Sequence, residues 1–350
     1  MSVFSRVEAG GHEEVLFCHD HASGLRAIIA VHSTVLGPAL GGTRFRPYRD
    51  EDEALDDALR LSRTMTYKSA VAGLGLGGGK AVVLGDPQTD RTDALIKAYA
   101  DCIASLGGRY ITAEDVGTTE ADMNLIREIT PFVTGVSEDR GGSGDTSPAT
   151  AYGLLHALRA VAAHLWGDQS LAGRHVVISG VGKVGSHLAE HLFEESARVT
   201  VADVDDDAVK RVVALAPDRI DVVAPGAAHA VPCDVFSPCA LGGVLSRETI
   251  PELRTAAIVG GANNQLADPS CAALLDAAGV LYAPDFVVNA GGVINVADEL
   301  AGYNRERAWR RIAGIFDTTL AVVGRADADR VTPEAAAERL AEERLDAARR

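Results

Sequence analysis

Residues 175–203 narrow the choice of folds more than any other stretch. They begin with an apolar run, His175-Val-Val-Ile-Ser179, and a glycine segment, Gly180-Val-Gly182-Lys183-Val184-Gly185. A helical pattern follows to about Glu195, then a second apolar run, Arg198-Val-Thr-Val-Ala202, and an acid, Asp203. A G-x-G-x-x-G by itself is a weak signal. Between a strand and a helix, with an acid ending the next strand, it has the context of a dinucleotide-binding βαβ unit. Gly180 makes the turn, Gly182 admits a pyrophosphate to the backbone, and Gly185 lets helix and strand pack. The helix N-terminus, with Lys183 and Val184 in its first turn, faces the phosphates. Asp203 stands 23 residues past Gly180, where its carboxylate can accept bonds from the adenine-ribose hydroxyls. Acids occupy 205–207 and no arginine occurs before Arg211, so a 2′-phosphate is repelled and NAD is favoured over NADP.

A second glycine-rich stretch lies upstream, Gly73-Leu-Gly-Leu-Gly-Gly-Gly-Lys-Ala-Val-Val83. Its glycines predict a tight, backbone-lined wall with Lys80 at the edge, entering a buried strand. Lys80 is then a candidate general base; a flexible loop with a solvated lysine is the plain alternative. Leu36-Gly-Pro-Ala-Leu-Gly-Gly-Thr-Arg44 predicts another tight backbone turn at Gly41 and Gly42. Residues 14–18 and 26–31 read as strands of a hairpin. Residues 51–66 carry Ala54, Leu55, Ala58, Leu59 and Leu61 at helical spacing behind an acidic start, and lead to Lys68. Lys68 precedes Lys80 by twelve residues, enough for the chain to fold back and bring both amines to one pocket. There one of them can pair with a bound carboxylate. Residues 92–106 read as a helix and 109–113 as a strand ending in Glu114-Asp115. Open α/β sheets place working residues at such strand ends, although a turn or cap aspartate is also common there.

The chain has 350 residues, a length suited to two domains, and 47% apolar residues, ample for packed cores. A net charge of −16 argues against nucleic acid or an anionic membrane as partner. No apolar run reaches the roughly 20 residues that span a bilayer, and the N-terminus has no signal-peptide pattern. The five cysteines are scattered, with no Cys-x-x-Cys and no zinc spacing. Free thiols in a reducing cytoplasm, and no metal, are the expectation. The Gly/Ser-rich break at 138–147 places a hinge. Residues 1–147 then form an α/β substrate and oligomerisation domain, and 148–325 a Rossmann-type domain. Thr332 to Arg350 reads as a helix capped by Thr332 with Pro333 in its first position and an apolar stripe of Ala337, Ala341, Leu345 and Ala348, and the C-terminal segment 326–350 is expected to pack back on the first domain. Strands are expected at 233–236, 257–259 and 280–282. Their loops, with Cys239, Ala240, Asn263 and, further on, Asn289, would ring the far end of the dinucleotide site.

Six motifs in order carry a resemblance. They are Gly-Pro-Ala-Leu-Gly-Gly-Thr-Arg, Met-Thr-Tyr-Lys-Ser-Ala, Gly-Gly-Gly-Lys, Tyr-Ile-Thr-Ala-Glu-Asp-Val-Gly-Thr, Gly-Ala-Asn-Asn-Gln-Leu and Val-Asn-Ala-Gly-Gly-Val-Ile-Asn-Val-Ala-Asp-Glu-Leu. From about Gly11 onward the chain resembles the glutamate/leucine/phenylalanine/valine amino-acid dehydrogenases, closest to the leucine and valine branch. The resemblance implies two domains with a deep cleft, a homo-oligomer, and reversible NAD-dependent oxidative deamination of a branched-chain L-amino acid. Lys68 would bind the substrate carboxylate, helped by the backbone at Gly41; Lys80 would be the general base and Asp115 its partner in proton transfer. Thr150 and Asn263 would sit at the nicotinamide end, and Asn289 would also bind the cofactor. Leu40, Ala113, Val293 and Val296 would line the side-chain pocket. Glutamate-specific relatives carry lysine at the position of Leu40, so the apolar pocket rejects glutamate, whose unpaired buried carboxylate costs several kcal/mol. A phenylalanine dehydrogenase is the alternative within the family. A 2-hydroxy-acid dehydrogenase would need a catalytic histidine with an acid partner, and a non-catalytic NAD-binding protein would show a damaged lysine or aspartate; neither pattern is present.

Overall fold

The alternating apolar residues of 14–33 build a hairpin. In it β1 (Glu14–Asp20) pairs antiparallel with β2 (Leu25–Ser33). The computed structural model describes residues 2–217 and 219–350. Strands β3 (Ala39–Arg46), β4 (Gly77–Leu84) and β5 (Tyr110–Glu114) complete a sheet of order β1-β2-β4-β3-β5. β4 is antiparallel to β2, and β3 runs parallel to both β4 and β5. Period-two side chains send Ile29, Val31, Ala81 and Val83 to one face, against Ile96, Tyr99 and Met123. Ile28, Ala30 and Val82 go to the other, under Ala54, Leu55 and Ala58 of the helix Glu51–Val71.

Two expectations change here. Gly41 and Gly42 are not in a turn; they lie inside β3. Gly77, Gly78 and Gly79 are likewise the start of β4, and Lys80 is mid-strand. The reason is proximity. A Cβ at Gly41 would overlap the carbonyl oxygen of Gly79, and one at Gly78 the backbone nitrogen of Thr66. Glycine lets neighbouring elements approach closely, and the strand geometry is ordinary.

The second sheet has the order β11-β10-β9-β6-β7-β8 and is parallel throughout. Its strands are β6 (His175–Ser179), β7 (Arg198–Ala202), β8 (Ile220–Val222), β9 (Cys233–Pro238), β10 (Thr255–Ile258) and β11 (Leu281–Tyr282). Counted from β6, this is the 3-2-1-4-5-6 order of a doubly wound dinucleotide fold. Val176, Val177, Ile178, Val199 and Val201 are fully buried, as both faces of a parallel sheet require.

The chain separates into one unit of Met1–Asp145, Asn295–Arg305 and Ala341–Arg350, and another of Thr146–Ile294 and Glu306–Leu340. Residues 295–305, expected with the second unit, are held in the first by Glu299. Its carboxylate accepts from Gly135 N at 3.0 Å, Ser143 N at 2.9 Å and Ser143 Oγ at 2.5 Å. The helix expected from Thr332 onward runs Pro333–Arg349, whereas residues 326–329 end the preceding helix, Ile315–Asp329, which stops at Arg330 in left-handed conformation with φ 55°. Thr332 caps the helix Pro333–Arg349, accepting from Ala335 N at 3.2 Å. Ala336, Ala337, Ala341 and Leu345 are buried, whereas Ala348 is exposed. Arg344 donates to the carbonyls of Ala70 (2.5 Å) and Val71 (2.8 Å), closing the end of the helix Glu51–Val71. Among the described residues no helix is long and apolar enough to cross a membrane. All five cysteines are free.

A histidine pair links β2 to that helix. The rings of His12 and His32 meet edge to face with centroids 4.8 Å apart, and His32 Nδ1 bonds Thr66 Oγ1 at 2.8 Å. Burial, then the charges of His12 and Arg63, hold His32 down at about 4. A histidine kept neutral by folding leaves the unfolded state to take the proton first. Stability is therefore flat above the ordinary value near 6.5 and falls as pH drops from there to about 4. The melting temperature should decline across that window, and His32→Asn should flatten the decline.

Candidate active site

Lys80 and Asp115 come together on two strands. Lys80 rises from β4, its side chain 8% exposed, and its Nζ donates to Asp115 Oδ2. Asp115 follows the last residue of β5. Its backbone N donates to Thr118 Oγ1 at 3.0 Å, and Thr118 Oγ1 donates to Thr43 O on β3 at 2.9 Å. Phe45 N reaches Val116 O at 2.8 Å, and Gly117, at φ 83°, leaves no room for a Cβ against Phe45 O. The turn after β5 is thus stitched across β3, and Asp115 cannot drift. Burial pushes its carboxyl up, but the charges of Lys80 and Arg44 outweigh that and hold it at about 2. The carboxylate is anionic at any working pH.

Leu40 and Ala113 line the same sheet. Leu40 is opposite Gly78 on one side and Ile111 on the other, and Gly42 is opposite Ala113. Leu40 is 1% and Ala113 8% exposed. Tyr110 OH donates to Gly41 O at 2.6 Å and fixes that glycine's peptide. Lys68 is in the last turn of its helix, half-buried. Thr66, two residues before Lys68, rests on Gly78, two residues before Lys80, so helix packing brings the two lysine-bearing segments alongside each other. Val296, in the same unit, is 6% exposed.

The second unit carries the glycine turn as the sequence predicts. Gly180, at φ 102°, packs against Ala240, and a Cβ at Gly185 would overlap Gly180 O. Gly182 caps the helix Lys183–Glu194 with no side-chain bond to its first amides, and its own Cβ direction is open. A helix N-terminus beside a glycine with open space at its Cβ is the arrangement a pyrophosphate needs. Cys239 N donates to Ser179 O at 2.7 Å, holding the turn after β9 against β6. Asp203 Oδ2 accepts from Val181 N at 2.6 Å and Oδ1 from Asp205 N at 2.9 Å, so this acid also braces the glycine turn. Asn289 Nδ2 donates to Asn263 Oδ1 at 2.9 Å, joining two of the expected cofactor residues. Thr150 Oγ1 donates to Thr146 O at 3.0 Å. Val293 lies near the end of this unit, half-buried.

Sequence reading missed Arg44 and Asp57 as a pair. Arg44 Nη1 donates to Asp57 Oδ2 at 3.1 Å, across a helix–strand contact that no local pattern discloses. The one available sign was Arg44 itself, two residues past Gly42.

A doubly wound dinucleotide unit joined to an α/β unit with a buried lysine–aspartate pair defines a class, the two-unit dehydrogenases. The comparisons with known proteins resolve it further. Family models described as "Glu/Leu/Phe/Val dehydrogenase, dimerisation domain" and "Glutamate/Leucine/Phenylalanine/Valine dehydrogenase" match residues 12–131 and residues 141–209 and 205–313. The chain belongs to this family of amino-acid dehydrogenases. It is 50% identical to a leucine dehydrogenase of Geobacillus stearothermophilus, over 100% of this chain and 95% of that one. It is 52% identical to a valine dehydrogenase of Streptomyces albus, over 98% and 94%. Among solved structures, L-tryptophan dehydrogenase from Nostoc punctiforme superposes with a TM-score of 0.87 at 41% identity, over 99% of both chains.

Proposed function

We propose that the chain catalyses the reversible, NAD-dependent oxidative deamination of branched-chain L-amino acids to 2-oxo acids and ammonia, and works as a homo-oligomer. The observation that carries this reading is half identity, over nearly the whole length, to both a leucine and a valine dehydrogenase. The description of the matched first-unit family as a dimerisation domain supports the oligomer.

Lys68 pairs with the substrate carboxylate, and the peptide at Gly41 assists. Lys80 takes the proton from the substrate ammonium, because only a neutral amine lets hydride leave Cα. Gly180, Gly182, Lys183, Val184, Gly185, Asp203, Cys239 and Ala240 hold NAD, with Thr150, Asn263 and Asn289 toward its nicotinamide. Bound there, NAD supplies the hydride acceptor. Lys80 then releases that proton to solvent and takes another from the water that attacks the iminium carbon; this second proton passes by way of Asp115 to the amine nitrogen, and Lys80 takes the hydroxyl proton as ammonia leaves and the carbonyl forms. Leu40, Ala113 and Val296 offer the substrate side chain apolar atoms, and glutamate finds no countercharge among them.

The experiment is NADH formation at alkaline pH with a panel of L-amino acids. Turnover of valine, isoleucine and leucine with glutamate silent is expected; a preference for phenylalanine or tryptophan would overturn the pocket reading. Asp203→Ala should weaken NAD and narrow its advantage over NADP. An unchanged NAD/NADP ratio counts against the ribose role.

A further inference from the structure

Arg44 and Asp57 form a charge pair that the reaction scheme above leaves unused. Arg44 comes from β3 and Asp57 from the helix Glu51–Val71, with side chains 17% and 8% exposed. Three donors converge on Asp57. Arg44 Nη1 and Tyr48 OH reach Oδ2 at 3.1 and 3.0 Å, and Arg60 Nη2 reaches Oδ1 at 2.8 Å. Arg46 Nη2 stands 3.9 Å from Oδ2. The other edge of the Arg44 guanidinium turns toward the reaction. Its Nε is buried, has no hydrogen-bond partner among the described residues, and lies 3.5 Å from Asp115 Oδ2. That is the same oxygen that accepts from Lys80.

The scheme asks Lys80 to lose its charge in every cycle. A buried carboxylate whose only cation disappears is left uncompensated and takes a proton itself. A guanidinium does not lose its proton in a protein. We propose that Arg44, anchored by Asp57, is a positioning residue for the Lys80–Asp115 pair: it aims the Asp115 carboxylate and keeps it anionic while Lys80 is uncharged. This rests on the function proposed above. The groups acting on Asp115 are Lys80 from β4, Arg44 from β3 and Tyr110 from β5, and those acting on Arg44 from behind are Asp57 and Tyr48.

The test lies in the sign of two shifts. A fixed cation beside the lysine–aspartate pair favours proton release from it, and the anion behind that cation opposes it. Arg44→Gln should therefore move the acidic limb of the kcat/KM pH profile upward by about one pH unit. Asp57→Asn should move it downward. Arg44→Lys, which keeps the charge and loses the fork, should hold the limb near its place and lower kcat. A limb that stays put in Arg44→Gln, or shifts of the same sign in Arg44→Gln and Asp57→Asn, overturns the proposal. If Arg44→Gln does not fold, an Asp57→Asn limb that moves upward or not at all does the same. Titration of the Asp115 carboxyl carbon by 13C NMR reads the effect without turnover, and should rise in Arg44→Gln and fall in Asp57→Asn. A wild-type protein silent on every amino acid would thus sink the proposed function, while this titration still judges Arg44.

Discussion

Lys80→Ala is expected to lower kcat with leucine and NAD by about 10⁴-fold, the upper end of what one positioned acid–base group contributes. The size follows from the two duties proposed for Lys80, at the substrate ammonium and at the attacking water, which no neighbour can assume. Asp115 is anionic at working pH but held at about 2, too weak a base for an ammonium. Arg44 gives up no proton. The fold should survive. Asp115 keeps Arg44 as a partner at 3.5 Å, so the substitution does not leave an isolated buried charge. NADH affinity, measured by fluorescence, should be unchanged, because the residues assigned to it all belong to the other unit. Near-normal turnover in this variant would remove Lys80 from its assigned role.

Gly78→Ala carries the second large effect, and it begins as a packing effect. A Cβ there would meet the backbone nitrogen, Cα and hydroxyl of Thr66 at impossible distances. The obstacle is helix backbone, which cannot rotate away like a side chain. Either the helix Glu51–Val71 lifts or β4 sinks. Overpacking of this kind costs about 1–3 kcal/mol and sometimes more, a fall in melting temperature of about 5 °C. Lys68 and Lys80 ride on the two elements forced apart, and a misplacement of about 1 Å is worth roughly 10²-fold in rate. The same exchange at Gly324 is the control. That glycine is exposed within the helix Ile315–Asp329, with nothing within 4 Å of its Cβ direction, so alanine should stabilise by about 0.5–1 kcal/mol. Equal melting temperatures for the two variants would count against close helix–strand contact.

These variants mark the division between what could be read along the chain and what required folding. Residues 175–203 announce a strand, glycine turn, helix, strand and terminal acid by local pattern alone, because period, turn chemistry and capping are all short-range properties. The six motifs pointed to the family for the same reason, and Lys68, Lys80 and Asp115 could be picked out by their company. The conformation of the glycines could not. Gly41, Gly42 and Gly77–Gly79 resemble loops to any local rule, since glycine weakens a strand. They are strand residues because Gly79 O, Thr66 N and the Tyr110 ring occupy the space where side chains would stand. Residues 295–305 could not be allotted either; their place follows from Glu299 and three donors more than 150 positions away. Arg44, Asp57 and Asp115 lie on a strand, a helix and a loop, and their convergence is a property of packing. The sequence by itself determined most of the elements and the family, and nominated Lys68, Lys80 and Asp115 for the chemistry, because those readings depend on neighbours along the chain. Only the tertiary structure decided which charges face one another and how closely the backbones approach, because those depend on neighbours in space.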